Sequence, residues 1–206
     1  GPGKSEPNDA YFNQFDQVVW IDSILDALHL LQVNIAGVSN GAYLTQLYTA
    51  KRPERVRKAV CLAGGLVVQG QKSPIWRMMK IFLPEAMFPT EKNARKLMRK
   101  LCANPNALFR HEELMRHWLL LLKYFNNASM MQHKVTGFND AEIDGIRDRT
   151  RFLIGSGDRL GNAAGSTDLL DRYRMNYHLV EQAGHAINHE QPALVEEEII
   201  RHLTAD

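Results

Sequence analysis

Four short apolar runs, each closing on a glycine or other small-residue turn, constrain this chain more than any other feature. They are "VNIAGVS" from Val33, "VRKAVCLAGGLVV" from Val56, "TRFLIGSGD" from Thr150 and "NYHLVEQAGH" from Asn176. Their brevity and β-branched content predict buried strands. Between them the period changes. In "YFNQFDQVVWIDSILDALHLLQ", Phe15, Val18, Val19, Ile21, Ile24, Leu25, Leu28 and Leu31 recur at helical intervals. "NGAYLTQLYTAKRPERV" predicts a helix ending before Pro53. "DAEIDGIRDR", "AAGSTDLLDRYR" and "PALVEEEIIRHLTA" predict three more, with Pro192 suited to a first turn. Strands alternating with helices predict an α/β fold, a mostly parallel sheet covered on both faces.

One stretch breaks the rhythm. Residues 70–137 read as helical and carry seven of the eight methionines. They hold 12 Lys/Arg against 4 Glu, although the whole chain has a net charge of only +2. This break predicts an inserted helical sub-domain, with core segments at 1–69 and 138–206. The small overall charge argues against a nucleic-acid partner. The longest apolar run, Trp118 to Leu122, is too short to span a bilayer. Cys61 and Cys102 have no motif spacing. Cys61 reads as a small core residue and Cys102 as part of a basic helix, a usage that fits a cytoplasmic protein.

The chemistry concentrates at "GVSNG", Gly37 to Gly41, where a predicted strand runs into a predicted helix. In that context G-x-S-x-G forces a tight turn that lifts the serine hydroxyl clear of the sheet. Gly37 and Gly41 are expected to be small because neighbours press on the turn. The backbone N–H of Asn40 is expected to face an oxyanion. A serine hydroxyl needs a base, and the base needs an orienting acid. "LIGSGD" places Asp158 beyond one strand and "EQAGH" places His185 beyond the next. Ser39 is thus the expected nucleophile, His185 the base and Asp158 its partner. Asp168 and Asp171 are weaker candidates for the acid, since both follow helical periodicity. His185 and His189 are four apart, a spacing that binds zinc when both lie on one helix. Gly184 before the pair and Pro192 after it favour a loop for His185, so no metal is expected. His189 and Glu190 then read as polar residues where the chain enters a helix, and His111 and His117 as a solvated helix face.

These motifs resemble the α/β-hydrolase superfamily, in its carboxylesterase, lipase and haloperoxidase-like branch. "GVSNGAYLTQLYTAKRPERVRKAVCLAGG" is similar to the nucleophile elbow, its helix and the next strand. "FLIGSGDRL" is similar to the acid loop, and "GHAINHEQPALVEEEIIRHL" to the histidine loop and last helix. The likeness covers nearly the whole chain and puts residues 70–137 in the place of a lid. It implies a cofactor-free serine hydrolase that cleaves a carboxylic ester through an acyl-enzyme. The expected substrate is a small molecule with an apolar acyl or alcohol part. Thioesters, lactones and activated C–C bonds share the chemistry, and a non-catalytic ligand-binding use of the fold is the alternative of another class. An aspartate nucleophile, as in related dehalogenases and epoxide hydrolases, is excluded because Ser39 holds that position. Trp76, Met79 and Phe82 are the expected pocket residues of the lid, Trp118 and further methionines adding to them. Its basic residues either attract an anionic substrate or lipid surface or simply solvate exposed helix faces.

"GPGKSEPND" at the start contains Gly3-Lys4-Ser5, the end of a phosphate-binding loop. Such a loop needs a strand before it and a helix from Lys4, and Ser5 to Asp9 are turn-like instead. The stretch fits better the G-x-G-x-S-x-P turn that follows the fourth strand in the hydrolase family. The resemblance also implies an earlier strand whose His-Gly loop donates the second oxyanion N–H. The expectation is therefore that the complete protein has an N-terminal half outside this sequence. The nucleophile strand would then lie at an open sheet edge in these residues.

Overall fold

The four apolar runs form the four strands of one parallel sheet: β1 (Val33–Val38), β2 (Val56–Leu62), β3 (Thr150–Gly155) and β4 (Asn176–Val180). The structure, a computed structural model, describes residues 15–71, 75–124 and 135–205. The opening "GPGKSEPND", with both of its readings, lies outside the described residues, as do Met130 and Met131. Strand order equals chain order, β1-β2-β3-β4, with every neighbour parallel. Val38 pairs with Leu62, Leu62 with Leu153, and Gly155 with Val180. All four strands therefore end on the same side, where their turns can share one site.

Strand periodicity of two splits the apolar side chains between the faces. Cys61, Phe152 and Ile154 pack with α2 (Asn40–Lys51), α7 (Asp140–Arg147) and α8 (Ala163–Arg172). Val60, Leu62, Leu153 and Val180 pack with Ile187 of α9 (Ile187–Glu190) and Val195 of α10 (Pro192–Thr204). Each fully buried Leu or Phe of this kind contributes about 1.5–3 kcal/mol relative to exposure. The first helix, α1 (Gln17–Ala27), packs Leu25 against Tyr48 and Val56.

α1 is shorter than its apolar period suggests, for local reasons at both ends. The Asp16 carboxylate accepts from Val18 N and Val19 N and caps the start. At the other end His29 takes φ 56°, Leu30 N donates to Leu25 O and His29 N donates to Asp26 O. This Schellman turn stops the helix, although Leu28 and Leu31 continue the spacing.

Between β2 and β3 the chain leaves the sheet for four helices: α3 (Ile75–Ala86), α4 (Glu91–Leu101), α5 (Pro105–Leu108) and α6 (Glu112–Tyr124). Val68 and Phe138 bridge at the base of this excursion, where Gln69 N donates to Phe138 O and Phe138 N donates to Val67 O. α4 buries Ala94, Leu97, Met98 and Leu101, spaced for one helix face, and exposes Lys92, Lys96 and Arg99. Much of the basic charge has an internal partner. Arg95 and Arg99 each lie 5.1 Å from the Phe109 ring centre, and Lys96 and Lys100 pair with the buried Glu85. Among the described residues no helix is long and apolar enough to cross a membrane.

On the β1 side the sheet is open among the described residues. β1 pairs with β2 alone, and Asn34, Ala36 and Val38 are exposed. Trp20, Ile24 and Leu28 of the α1 region, at intervals of four, are also exposed.

Candidate active site

β1 delivers its last residue, Val38, into a turn that starts α2 without a spacer. Ser39 occupies that turn with φ 56° and ψ −112°, a backbone conformation that a residue with a Cβ rarely adopts. Its N–H donates to Leu62 O at 2.8 Å, and its carbonyl accepts from Ala42 N at 3.0 Å. The strained residue is thus held by β2 on one side and by α2 on the other.

Gly37 is needed for space. A Cβ there would lie 2.1 Å from the Gly41 carbonyl oxygen and 2.7 Å from Thr45 Oγ1. Gly41 differs from the sequence expectation: nothing lies within 4 Å of where its Cβ would be. The crowding comes from the Gly41 backbone, which approaches Gly37 as α2 folds back over the strand. Asn40 begins α2, so its N–H is one of the first-turn groups that have no acceptor within the helix.

The other two loops converge on the serine. His185 Nε2 lies 2.9 Å from Ser39 Oγ, and His185 Nδ1 lies 2.9 Å from Asp158 Oδ2. A carboxylate at Nδ1 favours the tautomer with its proton there, so Nδ1–H donates to Asp158 and Nε2 can accept from the Ser39 hydroxyl. The Asp158 side chain is almost wholly buried, and its Oδ1 accepts from Gly161 N at 2.7 Å. The structure therefore brings Ser39, Asp158 and His185 together. Asp171 instead accepts from the Tyr177 hydroxyl at 3.0 Å, on the surface.

His185 lies on the loop before α9, whereas His189 lies within that helix, so the two do not share a helix face. Among the described residues no group of three or more His, Cys, Asp or Glu side chains is placed to hold a metal. Neither cysteine competes as a nucleophile. Burial pushes the Cys61 thiol well up, and burial followed by the charge of Glu190 pushes the Cys102 thiol up to about 12.

The helical excursion sits against the loops that carry Asp158 and His185. Leu160, two residues after Asp158, and Ala186, next to His185, belong to the same apolar cluster as Leu97, Met98 and Leu101. Phe82 packs against this cluster, whereas Trp76 and Met79 stand exposed, Trp76 by 78%. A cleft of 590 Å³ lies beside α5, α6 and α9, with Arg110, His111, Glu113 and His189 in its wall. Ser39 and the three expected lid residues are not part of its lining. The sequence pattern marks Glu190 only as a polar residue at a helix entry, whereas its carboxylate accepts from Gly184 N and Asn104 N. Its only signal was an acidic side chain five residues after the histidine.

A parallel sheet with a serine in a strand-to-helix turn, and an acid and a histidine beyond the next strands in that order, defines the α/β-hydrolase class. The chain matches the family model described as serine aminopeptidase, S33, over residues 1–192, and it belongs to that α/β-hydrolase family. No curated protein matches the sequence. Solved structures show the same fold. Naproxen esterase (carboxylesterase NP) from Bacillus subtilis superposes with a TM-score of 0.79 at 20% identity, covering 98% of this chain and 70% of that one. A meta-cleavage product hydrolase from Pseudomonas fluorescens gives 0.73 at 17% identity, covering 98% and 75%. The 2-hydroxy-6-oxo-6-phenylhexa-2,4-dienoate hydrolase of a Rhodococcus strain gives 0.64 at 14%, covering 98% and 76%.

Proposed function

We propose that the protein is a serine hydrolase that cleaves a carboxylic ester through an acyl-enzyme. The observation that carries this reading is the pair of 2.9 Å contacts linking Ser39 Oγ, His185 and Asp158 at a strained strand-to-helix turn. Ser39 Oγ attacks the ester carbonyl while His185 Nε2 takes its proton. Asp158 holds the imidazole and stabilises its charged form. His185 then gives the proton to the departing alcohol. Water, activated by the same nitrogen, releases the acid. The Asn40 N–H, at the positive end of α2, faces the oxygen that becomes negative. This chemistry calls for no metal or cofactor.

The helices of residues 75–124 act as a lid in this reading, because their apolar cluster includes neighbours of both Asp158 and His185. In this reading Trp76 and Met79, which are exposed, meet the apolar acyl or alcohol group of the substrate, with Phe82 behind them in the apolar cluster. The likeness to a meta-cleavage product hydrolase supports a second reading, attack by the same serine on an activated C–C bond.

A series of p-nitrophenyl esters from acetate to dodecanoate tests the proposal. Wild-type protein is expected to hydrolyse members of the series, and Ser39→Ala to lose about 10⁴–10⁶-fold in kcat. Hydrolysis that survives in Ser39→Ala, or no hydrolysis of any ester by the wild type, contradicts the ester reading. Turnover of a vinylogous 1,5-diketone in place of all esters would favour the second.

A further inference from the structure

We infer that Glu190 is a positioning residue that ties the His185 loop to the end of α4 and so sets where the imidazole stands. The inference rests on the serine-hydrolase reading. The loop between β4 and α9 is irregular, and its backbone groups need partners outside it. Glu190 Oε2 accepts from Gly184 N at 2.7 Å, one residue before His185. Glu190 Oε1 accepts from Asn104 N at 2.8 Å, just past α4. Leu101 O accepts from His185 N at 2.6 Å. One carboxylate and one carbonyl thus join segments more than 80 residues apart.

The fit leaves little room for error. A Cβ on Gly184 would lie 2.3 Å from Leu101 O and 2.9 Å from the Cys102 Cα. The loop that carries Asp158 meets the same segment, since a Cβ on Gly157 would lie 3.0 Å from the Ala103 Cβ. Residues 101–104 therefore form a common support behind both the acid and the base. An ionised carboxylate makes short, charge-assisted bonds to two N–H groups at once. An amide has one acceptor oxygen, so Gln at this position can satisfy only one of the two.

The experiment is the kinetics of covalent labelling by a fluorophosphonate, with kinact, KI and final stoichiometry read separately. Glu190→Gln is expected to lower kinact about 10–100-fold, the cost of a small misplacement at a reacting centre. KI and full stoichiometry are expected to be kept. Glu190→Asp, too short to reach both amides, is expected to fall between Glu190→Gln and wild type, and Glu197→Gln, an exposed charge change on α10, to match wild type. A folded Glu190→Gln that labels at the wild-type kinact overturns the inference. So does a deficit that appears only as lost stoichiometry, which is the mark of a merely structural role. Hydrogen exchange on the wild type gives an answer independent of any variant: the Gly184 and Asn104 amides must be protected, and free exchange of both overturns the tie. A wild-type protein that takes no label at Ser39 removes the underlying reading instead, and the inference with it.

Discussion

Gly37 and Gly41 flank the same serine, yet their environments differ, and this separates two predictions. A methyl at position 37 would meet the Gly41 carbonyl at 2.1 Å, so the backbone must move. Gly37→Ala is expected to lose more than about 3 kcal/mol or fail to fold. Position 41 has open space and lies in the first turn of α2, so Gly41→Ala is expected to stay within about 1 kcal/mol of wild type in denaturant melts. Equal losses at both positions would contradict the geometry. Ser39 itself holds strain in its φ of 56°. Ser39→Gly relieves what Ser39→Ala keeps, so the glycine variant is expected to be the more stable by about 1 kcal/mol. Both variants should be inactive. At this scale the convergence of Ser39, Asp158 and His185 was legible, because each ends a strand run in a fixed chain order. The role of Glu190 was not, since its distant partner Asn104 meets it only once the helices between β2 and β3 have packed against the His185 loop.

Elements were legible where a local period and a local stop agreed. The four strands and α10 follow their apolar patterns closely, and Pro192 does begin the last helix. α1 stops early because Asp16 caps it and His29 turns left-handed, both local events that the spacing of Leu28 and Leu31 hides. Between β2 and β3, α3 and α4 are joined by Glu85, whose side chain is fully buried against Lys96 and Lys100. Burial alone would raise its pKa, but the Lys100 and Lys96 ammonium groups beside it outweigh that and hold it below the usual carboxylate value. A carboxylate with a depressed folded-state pKa stabilises the fold above its unfolded pKa of about 4.3. That contribution fades as pH falls through the folded value. Glu85→Gln is therefore expected to cost about 1–2 kcal/mol at pH 7, both lysines being able to reach water once the acid is gone. The gap to wild type should close in urea melts below about pH 4. A gap that is constant or grows in acid would contradict the ion-pair account.

On the scale of the whole molecule, the described residues present both an open β1 edge and an exposed apolar stripe of Trp20, Ile24 and Leu28. Unpaired strand edges and contiguous apolar surface favour association. The 206-residue polypeptide is expected to elute at larger apparent size as its concentration rises, and Trp20→Lys with Leu28→Lys to weaken that trend. Elution independent of concentration would show that the edge is not adhesive. The C-terminal ends of the strands carry the proposed chemistry, where β1, β3 and β4 bring Ser39, Asp158 and His185 together. The most direct test of the central claim is intact-mass analysis after fluorophosphonate treatment, followed by peptide mapping. One phosphonyl group per chain is expected, on Ser39, absent in Ser39→Ala and strongly slowed in His185→Ala. Unmodified wild-type protein, or a label on any other residue, would contradict it.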